Sequence, residues 1–396
     1  MQVTVRQGDS LWYYSQLFQI PMRLLIDSNR QLNVNQLSIG QIVQIPGFVR
    51  SNYVVQSGDT FWSIARSRNI DPDAIQLLNP EVNPTSLQIG QPIKLPTRVT
   101  WRVVDGKETY DYQKLQEDIR ELLTIYPFLI QEVIGNSVMG KNITELRVGN
   151  GSKRVHANGS FHANEWITTP IIMKFLNDYL VGLTNNASME GINLSPLYQN
   201  TMLSLVPMVN PDGVNLVLNG PPEEEPYRTN VIRINNGSTD FTNWKANIRG
   251  VDLNNQYPAR WEIEKERKEQ QPAPRDYPGP YPLSEPEAQA LANLTRQRDF
   301  TRVNAFHTQG QVIYWGFENQ EPAQAEAIVN EYANVSGYLP IQTVDSYAGY
   351  KDWFILEWNR PGYTVELGKG TNPLPLSQFN QMYRAAKSIL LASLYM

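Results

Sequence analysis

The chain has 396 residues, 41% of them hydrophobic and 18% charged, with a net charge of −5 and no cysteine. That length buries more than one core. The acidic balance and the lack of any basic block give no nucleic-acid partner, and no apolar run approaches the ~18 residues of a membrane span. Disulfides and thiolate metal sites are excluded, so any metal must be held by His, Asp or Glu.

The first residues, "MQVTVRQGDS", carry neither a basic n-region nor an apolar h-region, so no signal peptide is expected. Two segments then match at a constant offset of 50: Gly8-Asp9-Ser10 with Gly58-Asp59-Thr60, Trp12 with Trp62, Asn29 with Asn79, and "LSIGQIVQIP" (37–46) with "LQIGQPIKLP" (87–96). A fixed offset over that span marks a duplication. Each copy reads as strand, helix, helix, strand, with Ser10 or Thr60 placed to cap the first helix. The stretches "GFVRSN" and "TRVTW" read as short linkers, giving domains at 1–47, 51–97 and 101–396.

Both copies resemble LysM modules in their Gly-Asp-(Ser/Thr) start, mid-repeat Asn and Ile-Gly-Gln turn. The resemblance implies a small α+β βααβ fold and binding of N-acetylglucosamine glycan, chiefly peptidoglycan or chitin. It places the groove at Gly8, Asp9, Ser10, Asn29 and Arg30 in the first copy, and at Gly58, Asp59, Thr60, Asn79 and Pro80 in the second.

From about Trp101 the pattern changes. "YDYQKLQEDIRELLTIYPFL" has helical apolar spacing, and strand-like and helix-like segments alternate from there to the end. Such alternation predicts an α/β domain, a mixed central sheet between helices. Ser284 with Glu287 reads as a capping box.

The three histidines are His156, His162 and His307. His162 and Glu165 sit where a strand hands over to a turn, a spacing that lets both side chains converge. His307 also ends a β-rich run, "TRVNAFH". Two His and one Glu are a common catalytic zinc set. His156 lies in the same strand-like stretch as His162 with no acidic neighbour, and reads as an ordinary buried histidine. Alone, His-x-x-Glu is a weak signal.

The ordered motifs "HANEW", "VPMVNPDGV", "RGVDLNNQYP", "AFHTQG", "YKDW" and "TVELG" cover nearly all of the large domain. In that order they resemble the zinc carboxypeptidase superfamily of the carboxypeptidase A type. With two LysM-like repeats ahead, the chain is similar to bacterial γ-D-glutamyl-L-diamino acid endopeptidases, which cut peptidoglycan stem peptides. The resemblance implies one Zn2+ per chain on His162, Glu165 and His307, with Asp252 orienting the first histidine. It implies Glu366 as the general base, Lys245 as the oxyanion-stabilising cation with Arg249 as an alternative, and Tyr347 as the tyrosine that closes on substrate, with Tyr350 as competitor.

Departures from the family pattern bear on specificity. The Asn-Arg pair that grips a C-terminal carboxylate is here Asn254-Asn255, which lacks the guanidinium fork. Lys351 stands where the base of the specificity pocket is expected, implying an acidic substrate group: diaminopimelate or the free α-carboxylate of γ-linked D-glutamate. The alternatives left open are a carboxypeptidase releasing acidic C-terminal residues and a catalytically inactive peptidoglycan-binding protein. The expected place of action is bacterial cell-wall material, from the cytoplasm or a spore compartment.

Overall fold

The computed structural model describes every residue, Met1–Met396. Two compact units divide the chain: Met1–Val103 with Ile119–Ile130 and Asn177–Ser195, and Val104–Asp118 with Gln131–Leu176 and Pro196–Met396.

The first unit holds both repeats. One is β1 (Gln2–Thr4), α1 (Leu11–Leu17), α2 (Met22–Asp27) and β2 (Ile42–Gln44). The other is β3 (Phe48–Val54), α3 (Phe61–Ser67), α4 (Pro72–Leu78) and β4 (Pro92–Arg98). Each pairs its own first and last strands antiparallel. The helices start where the hydroxyls lie: Tyr13 N donates to Ser10 Oγ at 3.1 Å, and Ser63 N to Thr60 Oγ1 at 3.0 Å. These caps satisfy amides that a first helical turn leaves orphaned.

The expected linker at 47–52 is instead mostly strand: β3 begins at Phe48 and pairs in register from Phe48↔Arg98 to Val54↔Pro92. Phe48 is buried edge-on against Phe18 of the first repeat, which draws this segment into structure. Arg6 and Tyr13 of the first repeat both bind Asp73 of the second, at 2.8 and 2.5 Å. The repeats also share their unit with segments that lie far along the chain. Gly47 N donates to Ile125 O at 2.8 Å, and Arg98 Nη1 donates to Thr184 O at 2.9 Å. Gly47 has φ +72°, and a Cβ there would lie 2.6 Å from that of Thr184, so both the backbone and the close approach require glycine.

From residue 112 the chain gives α5 (Tyr112–Ile125), β5 (Ile130–Asn136), β6 (Asn142–Val148), β7 (Lys153–Gly159), α6 (Thr168–Thr184), β8 (Ser188–Met189), β9 (Ile192–Asn193), α7 (Leu194–Asn200), β10 (Thr201–Val206), α8 (Pro211–Asn219) and α9 (Tyr227–Ile234). There follow α10 (Trp261–Arg267), α11 (Pro286–Arg298), β11 (Arg302–Thr308), β12 (Val312–Tyr314), α12 (Gln324–Ser336), β13 (Leu339–Ile341), α13 (Tyr350–Trp358), β14 (Gly362–Leu367) and α14 (Phe379–Tyr395).

Eight strands form one mixed sheet in the order β13-β12-β14-β11-β7-β10-β6-β5. Its centre, β14-β11-β7-β10, is parallel, so these strands end at one edge. Ligand sites of open α/β sheets lie at such carboxyl ends. β11 is buried along its whole length, as a central parallel strand should be. The expected capping box at Ser284 does not form. Pro286 opens α11 behind Glu285, Ser284 Oγ turns to Gln256 at 3.1 Å, and Glu287 accepts from Val138 N at 3.1 Å. Proline suits a first helical position because it lacks the N–H a cap would serve.

Candidate active site

Three parallel strands deliver the chemistry to one edge. Beyond β7 a single short turn, Ala163–Glu165, carries His162 at its start and Glu165 at its end, with Glu165 N donating to His162 O at 3.1 Å. His307 lies at the end of β11, directly beside Glu366 on β14 in the strand register. Sequence spacing could bring His162 and Glu165 together. Only sheet pairing brings His307 and Glu366 to them.

The candidate donor atoms converge. His162 Nδ1 lies 2.9 Å from Glu165 Oε1, His307 Nδ1 lies 3.0 Å from Glu165 Oε2, and the two Nδ1 atoms are 3.2 Å apart. His162 Nε2 faces Asp252 Oδ1 at 3.2 Å. A proton held there leaves the Nδ1 lone pair directed at the cluster. His307 stacks on Phe161 at 5.7 Å and 7°, and its Nε2 is buried without a partner. Two imidazole nitrogens and a carboxylate within 4.8 Å of one another fit a divalent cation of borderline softness such as zinc. Asn372 Nδ2 and Thr308 N hold the Glu165 carboxylate from behind, at 3.3 and 3.2 Å.

The charges are strongly coupled. Burial works against ionisation of Glu165 and Asp252, but His162 outweighs it and holds both carboxyls well below their usual range. Burial likewise opposes the His162 cation, and Glu165 and Asp252 overcome it, raising that group to about 9. Glu366 is pushed the other way: burial and the nearby Glu165 raise it well above an ordinary carboxyl. An acid raised in this manner is suited to carry a proton between partners. Lys245 stays protonated because Asp252, 3.9 Å away, and Glu165 outweigh the cost of burial.

His162, Glu165, Lys245 and Glu366 line a cleft of about 340 Å³ together with Asn164, Asn243, Arg275, Gln309 and Asn372, none of which the sequence singled out as a site residue. Asn164 was within sight, standing inside "HANEW". Arg275 and Asn372 lie in loops whose place only the fold reveals. Of the expected oxyanion cations, Lys245 lines the cleft. Arg249 does not, and its guanidinium faces Glu285 at 3.4 Å.

Several expectations are corrected. Lys351 is 5% exposed, with its ammonium 2.5 Å from Asp352 and 2.7 Å from Gly316 O, so it is not available to substrate. A buried ammonium requires such partners. Tyr350 is fully buried with its hydroxyl bound to Thr295 at 2.9 Å, which removes it as the moving tyrosine. Tyr347 is half-buried outside the cleft lining, its ring under the Arg267 guanidinium at 5.2 Å. Asn254 accepts from Tyr350 N at 3.2 Å, and Asn255 is buried with its backbone N–H donating to Asp252 O. They shape the turn rather than line the cleft. His156 is the buried histidine expected: it bonds Ser204 and Asn158 at 3.1 Å each and stacks on Phe300.

In the repeats, Asn29 and Asn79 are internal clamps. Each amide nitrogen donates to two carbonyls, Leu25 and Gln44 in one copy and Ile75 and Lys94 in the other. Asp9 accepts from Arg6 and Tyr14, and Asp59 from Gln56 and Tyr53, so both brace the turn instead of facing a glycan. Gly8 and Gly58 supply the left-handed turn, at φ +88° and +84°. Arg30 reaches Phe128 O at 3.3 Å, and Pro80 is exposed. What the repeats do present is apolar: Trp12 and Ile39 are 65% and 71% exposed, and their counterparts Trp62 and Ile89 are 60% and 72%. The offset that revealed the duplication also pairs these residues, and could have singled them out.

Comparison with known proteins accords with this geometry. The zinc carboxypeptidase family (Peptidase_M14) matches residues 115–388, and the LysM domain matches 3–46 and 53–96. The chain is 57% identical over 396 residues, 100% of both chains, to "Gamma-D-glutamyl-L-diamino acid endopeptidase 1" of Lysinibacillus sphaericus. Among solved structures it is similar in fold to bovine thrombin-activatable fibrinolysis inhibitor, with a TM-score of 0.57 and 17% identity over 73% of this chain and 97% of that one. It is also similar to carboxypeptidase A from Helicoverpa armigera, with a TM-score of 0.56 and 16% identity over 84% and 85%. The converging His162, Glu165 and His307, the neighbouring Glu366 and a family match spanning most of the sheet lead to one conclusion: the chain is a zinc peptidase of the zinc carboxypeptidase family, preceded by two LysM domains.

Proposed function

We propose that this chain hydrolyses the γ-D-glutamyl–diamino acid bond of peptidoglycan stem peptides, using one zinc ion held by His162, Glu165 and His307, while its LysM domains hold it to glycan. The observation that carries the reading is the pairing of that donor set with Glu366 in one cleft, in a chain 57% identical end to end to an enzyme of that name. Asn255, buried where an arginine clamp would serve an exopeptidase, favours cutting within a chain.

When bound, zinc acidifies water and polarises a carbonyl. The chain supplies the rest. Glu366, half-buried and raised above an ordinary carboxyl, accepts a proton from the attacking water and returns it to the leaving amine. Lys245 places a positive charge in the cleft, where it meets the negative charge growing on the scissile oxygen. Asp252 holds His162 by its far nitrogen, and Asn372 with Thr308 holds Glu165, so the donors are set before metal arrives. Binding glycan nearby raises the local concentration of stem peptide.

The test is metal dependence on a defined L-Ala-γ-D-Glu-diaminopimelate peptide. Activity should vanish on chelation and return with stoichiometric zinc. Activity that persists in protein shown to be free of metal would refute the reading.

A further inference from the structure

With Lys351 tied to Asp352 and Gly316, the free α-carboxylate of a γ-linked glutamate needs another cation. The cleft contains one on the wall that carries Lys245. Three segments build that wall, joined through their backbones: Ala163 N donates to Lys245 O at 3.0 Å, and the amides of Lys245 and Ala246 both donate to Pro274 O, at 2.8 and 3.0 Å. Asp276 N adds a bond to Asp252 at 3.3 Å. The side chains these segments bring to the cleft include Asn164, Lys245 and Arg275.

Arg275 is 59% exposed and uses Nε for its ion pair with Asp276, at 2.9 Å. A guanidinium is a planar fork, so an occupied Nε leaves the edge formed by the two Nη atoms for a second, bidentate carboxylate. Asn164 is 5% exposed, and its Oδ1 is buried without a hydrogen-bond partner. A buried acceptor left unpaired is costly until a ligand N–H reaches it.

We propose that Arg275 recognises the acyl side of the scissile bond: it binds the free α-carboxylate of the γ-linked D-glutamyl residue, and Asn164 Oδ1 accepts the amide N–H on the same α-carbon. This assignment rests on the function proposed above. Lys245 fixes where the scissile oxygen lies, and Arg275 directly follows Pro274, whose carbonyl holds the Lys245 amide. In a γ-linked glutamate the α-carboxylate is one short side chain away from the scissile carbonyl, within reach of the neighbouring guanidinium. An α-linked glutamate carries a carboxylate at the same reach but its N–H beside the scissile carbonyl, whereas the γ-linked residue bears N–H and carboxylate on one carbon. The pair therefore reads linkage as well as charge.

The experiment compares two stem tripeptides that differ only in the D-glutamyl α-group, free carboxylate against carboxamide, using zinc-loaded wild type, R275A, R275Q and R275K. Wild type should favour the free acid in kcat/KM. R275A and R275Q should lower that preference roughly 10- to 100-fold, and R275K should restore only part of it, because lysine offers a point charge and no fork. Calorimetric binding of the acyl product L-Ala-D-Glu to E366Q, with and without R275A, gives a readout independent of turnover and should weaken by a similar factor. Since Arg275 is more than half exposed, zinc content and melting temperature should match wild type. Equal cleavage of both peptides by wild type, or an unchanged preference in R275A, overturns the Arg275 assignment and leaves the γ-glutamyl reading standing. Cleavage of neither peptide overturns both.

Discussion

His156 gives a quantitative prediction that separates it from His162 and His307. It is fully buried, stacked on Phe300 at 4.6 Å and edge-on to Tyr350. Ser204 donates its one hydroxyl proton to Glu145 at 2.7 Å, so its oxygen accepts from His156 Nδ1, and Nε2 accepts from Asn158. That network holds the neutral ring, and burial lowers the group from its ordinary 6.5 to about 3. A depressed histidine costs stability below its unfolded value: between 6.5 and 3 the unfolded chain takes up a proton that the folded chain refuses. At about 1.4 kcal/mol per pH unit, acidifying from about pH 7.5 to about pH 5 should destabilise the fold by ~2 kcal/mol through this residue alone. Above 6.5 it should contribute no pH dependence. The assay is denaturant unfolding of wild type and His156→Gln at both pH values. Other titrating groups cancel in the difference, so the deficit of the variant should narrow by ~2 kcal/mol on acidification. A deficit equal at both pH values would mean that the folded ring protonates normally and that this account of its burial is wrong.

Further outcomes concern the cleft and the repeats. His307→Ala should lose both zinc and turnover, whereas His156→Gln should keep its metal by elemental analysis; zinc retained by the His307 variant would remove that ligand from the set. Glu366→Gln should keep fold and zinc while kcat falls roughly 10²- to 10⁴-fold, and a near-normal kcat would assign the base elsewhere. Asp252→Ala should weaken zinc binding roughly 10- to 100-fold in a competition titration. Lys351→Met should act on stability, since opening a buried ion pair costs about 3–5 kcal/mol; a variant of unchanged stability that had lost preference for acidic substrates would restore the direct role expected from its position. Trp12→Ala with Trp62→Ala should lower the ratio of sacculus to soluble-peptide cleavage, because exposed aromatic faces suit sugar rings and avidity depends on both copies.

The parts of this molecule legible in the sequence are those with a local signature. The helix caps at Ser10 and Thr60 follow from one hydroxyl beside an apolar run, and the duplication follows from a fixed offset. The three candidate donors that converge in the cleft were singled out through motif order, since His162 and Glu165 are neighbours in the chain while His307 is 145 residues beyond His162. What escaped depends on long-range packing. Lys351 sits where a pocket base is expected, but its stem turns inward because Asp352 and Gly316 O offer a buried ammonium better partners than water does. Asn29 and Asn79 recur in both copies, as a ligand contact would, yet each ties a helix end to the closing strand. Arg275 carries no motif. It reaches the cleft because Pro274 accepts from Lys245, a backbone bond that no side-chain pattern encodes. The 47–52 stretch resembled a linker because Arg50, Ser51 and Asn52 follow one another with no apolar residue between them; the strand it forms shows itself only in the folded chain, where exposure alternates from residue to residue.

The most direct measurement is the position of the cut. A defined L-Ala-γ-D-Glu-diaminopimelate-D-Ala peptide, digested by the zinc-loaded protein in heavy-oxygen water and read by mass spectrometry, should give L-Ala-D-Glu carrying the heavy oxygen on its γ-carboxylate, together with an intact diaminopimelate-D-Ala fragment. Release of the terminal D-Ala with the γ-glutamyl bond left whole would contradict the account, because the cleft would then be acting as a carboxypeptidase on free C-termini.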